Sequence, residues 1–174
     1  MTPKACEHAG PPQVRTFPLG GIARSALGAP LMRALLDVNV LVALLDAGHL
    51  HHRAATDWLA RNAAGGWASC PLTQNGCLRI LSLPAYPNPQ PTAVVAERLT
   101  AAAADRSHAF WPDSLSLLDK GRLRWDRVLS SRQITDAYLL ALALACDGRL
   151  VTFDRGISTD AVPGAQKKHL ITLG

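Results

Sequence analysis

Three aspartates carry the first chemical signal in this chain. Asp37 ends the apolar run ALLDV at 34–38, and Asp154 follows a second apolar run at 149–153. Asp136 falls in the opening turn of the apolar helix that precedes that second run. Carboxylates held together repel one another and are stabilised by a shared cation. Oxygen-only donors suit Mg²⁺, which binds through one or two carboxylates plus substrate phosphate and keeps several waters. A cation so placed makes water more acidic and stabilises charge growing on the phosphorane oxygens, the outline of a phosphodiester hydrolysis site. Singly, each aspartate has a plainer role: Asp136 favours the positive end of a helix dipole, and Asp37 or Asp154 can cap a turn. The chemistry requires one fold to bring all three to one edge.

The elements between them are of the kind that does so. From Met32 onward strand and helix patterns alternate. Short apolar runs at 34–38, 66–70, 109–111, 149–153 and 169–173 read as buried strands. Helices are expected over 39–47, 51–64, 73–81, 93–104 and from about 135 to 147, with a short one over 115–120 capped by Asp113 or Ser114. Thr73 and Thr135 are the expected N-caps of their helices, and Gly148 suits the position just past the last one. The four prolines between 83 and 92 require a loop. Alternation of this kind predicts a three-layer α/β/α domain around a mostly parallel sheet of about five strands. In such sheets ligands bind beyond the carboxyl ends of the strands, where all three aspartates are expected.

Composition narrows the setting. At 174 residues the chain suits one domain with a proper core. No apolar run approaches a membrane span. Cys6, Cys70, Cys77 and Cys146 are scattered without a Cys-x-x-Cys pair, which fits reduced thiols in a cytoplasm rather than a disulfide framework or a zinc site. The net charge is +5, of which +2 lies in residues 1–31. That balance is compatible with a nucleic-acid partner but does not demand one. Residues 1–31 are rich in Gly and Pro without apolar periodicity and read as a disordered extension, with 32–174 as the folded domain. Met32, directly before the first strand, is the expected natural translation start.

The motifs then acquire a family likeness. LLDVNVL at 35–41, with Asp37 and Asn39, resembles the opening motif of PIN domains, particularly VapC toxins. ITDAYLLALA at 134–143 is similar to their third motif and LVTFDRG at 150–156 to their fourth. The likeness spans roughly 32–174. It implies a Mg²⁺- or Mn²⁺-dependent endoribonuclease, the toxin of a toxin–antitoxin pair, with an RNA substrate, a cognate antitoxin protein and a homodimer. It implies Asp37 and Asp136 as principal metal ligands, with Asp154 binding directly or through water. Asn39 orients the first motif or a water, and Thr135 and Thr152 support the acids by hydrogen bonds.

One departure stands out. PIN domains usually place a glutamate on the helix after the second strand, whereas the corresponding stretch here is LTQNGCLRILS at 72–82. Gln74 and Asn75 lie nearest the missing acid, and Gln74 is taken as its replacement. An amide brings no charge, so weaker metal binding, or one ion rather than two, is expected. A catalytically weakened module that binds RNA or a protein partner is the alternative. An aspartyl-phosphate phosphohydrolase needs Asp-x-Asp, and Asn39 occupies its second position.

Other residues have competing readings. Arg79 and Arg155 are candidates for phosphate contact as much as for solvation. His49, His51 and His52 read as an exposed loop between helices. Trp58, Trp67, Trp111 and Trp125 read mostly as core, as do Cys70 and Cys77. The apolar helix at 134–146 is explained by burial, with a dimer surface left open. The helix at 51–64 could receive the antitoxin.

Overall fold

Strand segments without polar alternation need cover on both faces, and β1 (Ala34–Leu36), only three residues long, sits at the centre of the sheet. The computed structural model describes residues 31–174. Apart from Leu31, the expected N-terminal extension and Cys6 lie outside the described residues. After β1 come α1 (Val38–Leu45), α2 (His52–Asn62), β2 (Trp67–Ser69), α3 (Pro71–Leu81) and α4 (Thr92–Ala103). Then follow β3 (His108–Phe110), α5 (Gln133–Ala145), β4 (Arg149–Thr152) and β5 (Leu170–Thr172), with short 3-10 turns between. The order is β3-β2-β1-β4-β5 and every pairing is parallel, with Leu35 opposite Ala68 on one side and Leu150 on the other.

Side chains alternate across β1 and sort the helices into two layers. Leu35, Ala68 and Leu150 pack with α5 residues such as Leu139 and Leu142, together with Trp111 and Val162. Ala34, Leu36, Trp67 and Val151 face the other way, onto Val40, Leu41, Cys77 and Val95 of α1, α3 and α4. The result is the expected three-layer sandwich. α5 is buried from Ala137 through Ala143 without interruption, which accounts for its apolar composition.

Helix starts differ from expectation. α3 begins at Pro71, whose missing N–H costs nothing at the first position. Its N-cap is Cys70, and Thr73 lies inside the helix, where its hydroxyl accepts from the Cys70 N–H at 3.0 Å. α5 begins at Gln133 rather than being capped by Thr135. The Gln133 side-chain Oε1 reaches back to accept from the Leu129 and Ser130 N–H groups at 2.8 and 3.2 Å. Beyond α5 it is Asp147, with φ of 51°, that takes the left-handed position expected of Gly148. Gly148 is needed for space: a Cβ there would stand 2.7 Å from the Arg33 carbonyl oxygen. No helix forms over 115–120. The Ser116 hydroxyl accepts the Leu118 N–H and the Asp119 N–H bonds the Ser116 carbonyl, so local turns replace a helix too short to nucleate.

Candidate metal centre

Neighbouring strands whose connections run in opposite directions leave a crevice at their carboxyl ends. Here that point lies between β1 and β4, the strands after which Asp37 and Asp154 stand. Asp136 enters from the first turn of α5. All three line one open cleft of about 540 Å³, shared with Asn39, Asn75 and Arg79. The three expected residues thus open onto the same cleft.

Asp37 is buried and caps α1. Its Oδ1 accepts the Val38 N–H at 2.6 Å and its Oδ2 accepts the Thr152 hydroxyl at 2.6 Å. The Thr152 oxygen in turn accepts from Asn39 Nδ2 at 3.2 Å and from the Asp154 N–H at 3.0 Å. Asn39 Oδ1 accepts the Phe153 N–H at 3.3 Å, so the start of α1 is laced to the end of β4. Asp154 is exposed and held in a turn by the Gly156 N–H at 2.6 Å from its Oδ1.

The electrostatics follow from this crowding. Burial pushes the Asp37 carboxyl above its ordinary value, and the Asp154 charge adds to the rise against the Thr152 and Val38 hydrogen bonds. Burial, then Asp37 and Asp154, push Asp136 up to about 6. Carboxyls resisting ionisation in this way favour a positive ion among them. Among the described residues no three His, Cys, Asp or Glu side chains are gathered closely enough to hold an ion by themselves. The aspartates face a common cleft but form no closed triad. With oxygen donors dominant, the set fits a hard divalent ion that retains waters rather than zinc.

Gln74, the expected stand-in for the missing glutamate, does not line the cleft. Its Nε2 donates at 3.0 Å to the buried Ser69 hydroxyl, which also pairs with His108 Nε2 at 2.9 Å. Asn75, one residue on, rotates onto the cleft face with Gly76 and Arg79. Thr135 lines the cleft, and among the described residues no hydrogen bond joins its hydroxyl to an acid. Arg155 is turned to the Gly174 carbonyl at 3.1 Å, which leaves Arg79 as the arginine lining the cleft among the described residues.

The histidines are not an exposed loop: all three are half-buried. His51 stacks on Phe153 with ring centroids 4.4 Å apart, His52 Nδ1 meets the Ala43 carbonyl at 2.8 Å, and His49 lines the cleft. Sequence reasoning also missed Tyr86 and Asp46. The Tyr86 hydroxyl donates to Asp46 Oδ2 at 2.7 Å and ties the proline-rich loop to the end of α1 beside the cleft. That bond holds the Asp46 carboxyl below its ordinary value. Cys70, Cys77 and Cys146 are free thiols, the first two buried as expected.

Comparison with known proteins identifies the family. The PIN domain family model matches residues 34–161. Ribonuclease VapC44 of Mycobacterium tuberculosis is 52% identical over 142 residues, covering 82% of this chain and 100% of that protein. Ribonuclease VapC39 of the same organism is 40% identical over 134 residues, 76% of this chain and 96% of its own length. Ribonuclease VapC29, also from that organism, is 41% identical over 127 residues, 73% and 90% respectively. With its carboxylates at the switch point of a five-stranded parallel sheet, the chain belongs to the PIN-domain family, on its VapC branch.

Proposed function

We propose that this protein is the endoribonuclease of a toxin–antitoxin pair, hydrolysing RNA with Mg²⁺ or Mn²⁺ held by Asp37, Asp136 and Asp154. The observation that carries the reading is the convergence of those three carboxylates on one cleft. The VapC ribonucleases it resembles support it. When bound, the divalent ion supplies charge neutralisation at the scissile phosphate and activation of the attacking water. The chain's own residues do the rest. Asp37 is fixed by Thr152 and the start of α1, so its carboxylate needs no reorganisation. Asp136 gives up its proton above about pH 6, completing the anionic site at neutral pH. Arg79 reaches phosphate oxygens from α3 on the cleft wall. Asn75 sits on that wall too, supplying an amide oxygen without charge.

Partners and setting belong to the same proposal. An apolar groove of about 520 Å³ between α1, α2 and α4 is lined by Leu41, Leu45, Leu59, Ala60 and Leu99. It takes an apolar face of the cognate antitoxin. The enzyme acts in the cytoplasm as a homodimer; no described helix is long and apolar enough to cross a membrane. The nuclease domain is residues 32–174, supported by the compact unit beginning at Leu31.

Conditional expression of the full chain beside Asp136→Ala tests the reading. Growth arrest with discrete RNA fragments, abolished by the substitution, is the expected result. Normal growth and intact RNA with soluble, folded wild type would overturn it in favour of a non-cleaving binding module.

A further inference from the structure

Trp125 breaks the pattern of the other tryptophans. Trp67 and Trp111 are buried and Trp58 is half-buried, while Trp125 is 50% exposed on a short 3-10 turn, Trp125–Arg127. Its surroundings are basic. Residues 119–132 hold Lys120, Arg122, Arg124, Arg127 and Arg132 against Asp119 and Asp126, a net +3. That equals the net charge of all of residues 32–174, so the rest of that stretch is neutral. Arg122 pairs with Asp119 at 3.4 Å and Arg127 with Asp126 at 3.3 Å. Lys120, Arg124 and Arg132 make no ion pair among the described residues.

The segment is also fixed beside the cleft. The Arg124 N–H donates to the Ala161 carbonyl at 2.9 Å, and the next helix along the chain is α5, which carries Asp136. Arg127 shares a small crevice with Gln133, Asp136 and Ser158. A cleft with three carboxylates repels a polyanion, so affinity for RNA must come from cations and apolar surface around it. An exposed indole beside the unpaired Arg124 in a basic segment supplies both, since every base has a face that stacks on an aromatic ring.

We propose that Trp125, with Arg124 and Arg132, is a platform on which an unpaired base of the RNA stacks beside the cleft. It rests on the ribonuclease reading above and requires the base that Trp125 holds to be unstacked. In a duplex the base faces are already stacked and out of reach.

The test is binding of fluorescent oligoribonucleotides to the full chain in EDTA, which prevents cleavage, paired with cleavage assays in Mg²⁺. Trp125→Ala should weaken binding of a single-stranded oligoribonucleotide about tenfold, while Trp125→Phe keeps most of the affinity. Binding of an abasic ribose-phosphate strand of the same length should not change with Trp125→Ala. Cleavage by Trp125→Ala should show a raised KM at unchanged kcat. Equal affinity of Trp125→Ala and wild type, or an equal loss on the abasic strand, would overturn the platform. So would a change in oligomeric state without a change in RNA binding, which would place Trp125 in a protein interface. Wild type that cleaves RNA without regard to Trp125 would leave the nuclease reading intact. Trp125-dependent binding without cleavage would sink the nuclease reading and leave the platform.

Discussion

The Thr152 hydroxyl uses its full hydrogen-bonding capacity at the site, donating to Asp37 and accepting from Asn39 and the Asp154 backbone. Among the described residues Asp136 has no such support, and its carboxyl rises to about 6 through burial and the neighbouring aspartates. A carboxyl raised by folding destabilises the fold when ionised: the cost is full above about pH 6 and vanishes below the ordinary value of 3.8. In chelator at about pH 8, Asp136→Asn should therefore be more stable than wild type by about 1 kcal/mol, since solvent screens a half-exposed carboxyl, with the gain fading toward about pH 4. Urea unfolding across that range measures it, and a less stable variant at high pH would contradict the repulsion. The missing glutamate yields a second expectation. Because Asn75 and not Gln74 faces the cleft, Asn75→Glu should tighten Mg²⁺ binding severalfold and Gln74→Glu should leave it unchanged. Isothermal titration would show the reverse order if Gln74 were the residue at the site. Both amides stand in the sequence where the acid was expected. Only the start of α3 at Pro71 and the Ser69 hydroxyl beside it decide which one turns inward, and neither leaves a mark in residue spacing.

Strand identity was readable because each core strand is an apolar run too short to be a helix, and all five expected strands are present within a residue or two. Helix starts were less readable, because the side chains that satisfy the free N–H groups act from inside the helix rather than from an N-cap. The fold uses Thr73 bonding back to Cys70, and the Gln133 amide bonding back to Leu129 and Ser130. The turn after α5 is a similar case. Its Gly was expected for a left-handed backbone, yet Asp147 takes that conformation and Gly148 gives way to Trp111 and the Arg33 carbonyl. Gly148→Ala should then destabilise the protein by about 1–3 kcal/mol, since the obstruction includes backbone that cannot step aside. Asp147→Gly should be neutral or mildly stabilising, because it relieves a positive φ. Thermal unfolding of the two variants separates these roles, and a harmless Gly148→Ala would refute the close-approach account.

At the scale of the molecule, the sheet order places the reversal of connections between β1 and β4, and the three aspartates line one cleft there without closing into a triad. Their assembly was readable because strand ends are positions in sequence. The apolar groove across α1, α2 and α4 was not, since it belongs to no single helix. Ala60, exposed on α2 at its edge, offers a clean probe. Ala60→Glu should leave RNA cleavage unchanged but abolish neutralisation by the co-expressed antitoxin, as read by growth. Retained neutralisation would place the antitoxin elsewhere. The central claim, a metal-centred ribonuclease, is tested most directly with purified full-length protein, wild type and Asp136→Ala, incubated with total RNA in Mg²⁺, Mn²⁺ or EDTA. Discrete fragments from wild type in either metal, with none in EDTA and none from the variant, are predicted. Cleavage that persists in EDTA or in Asp136→Ala, or intact RNA from folded wild type, would contradict the account.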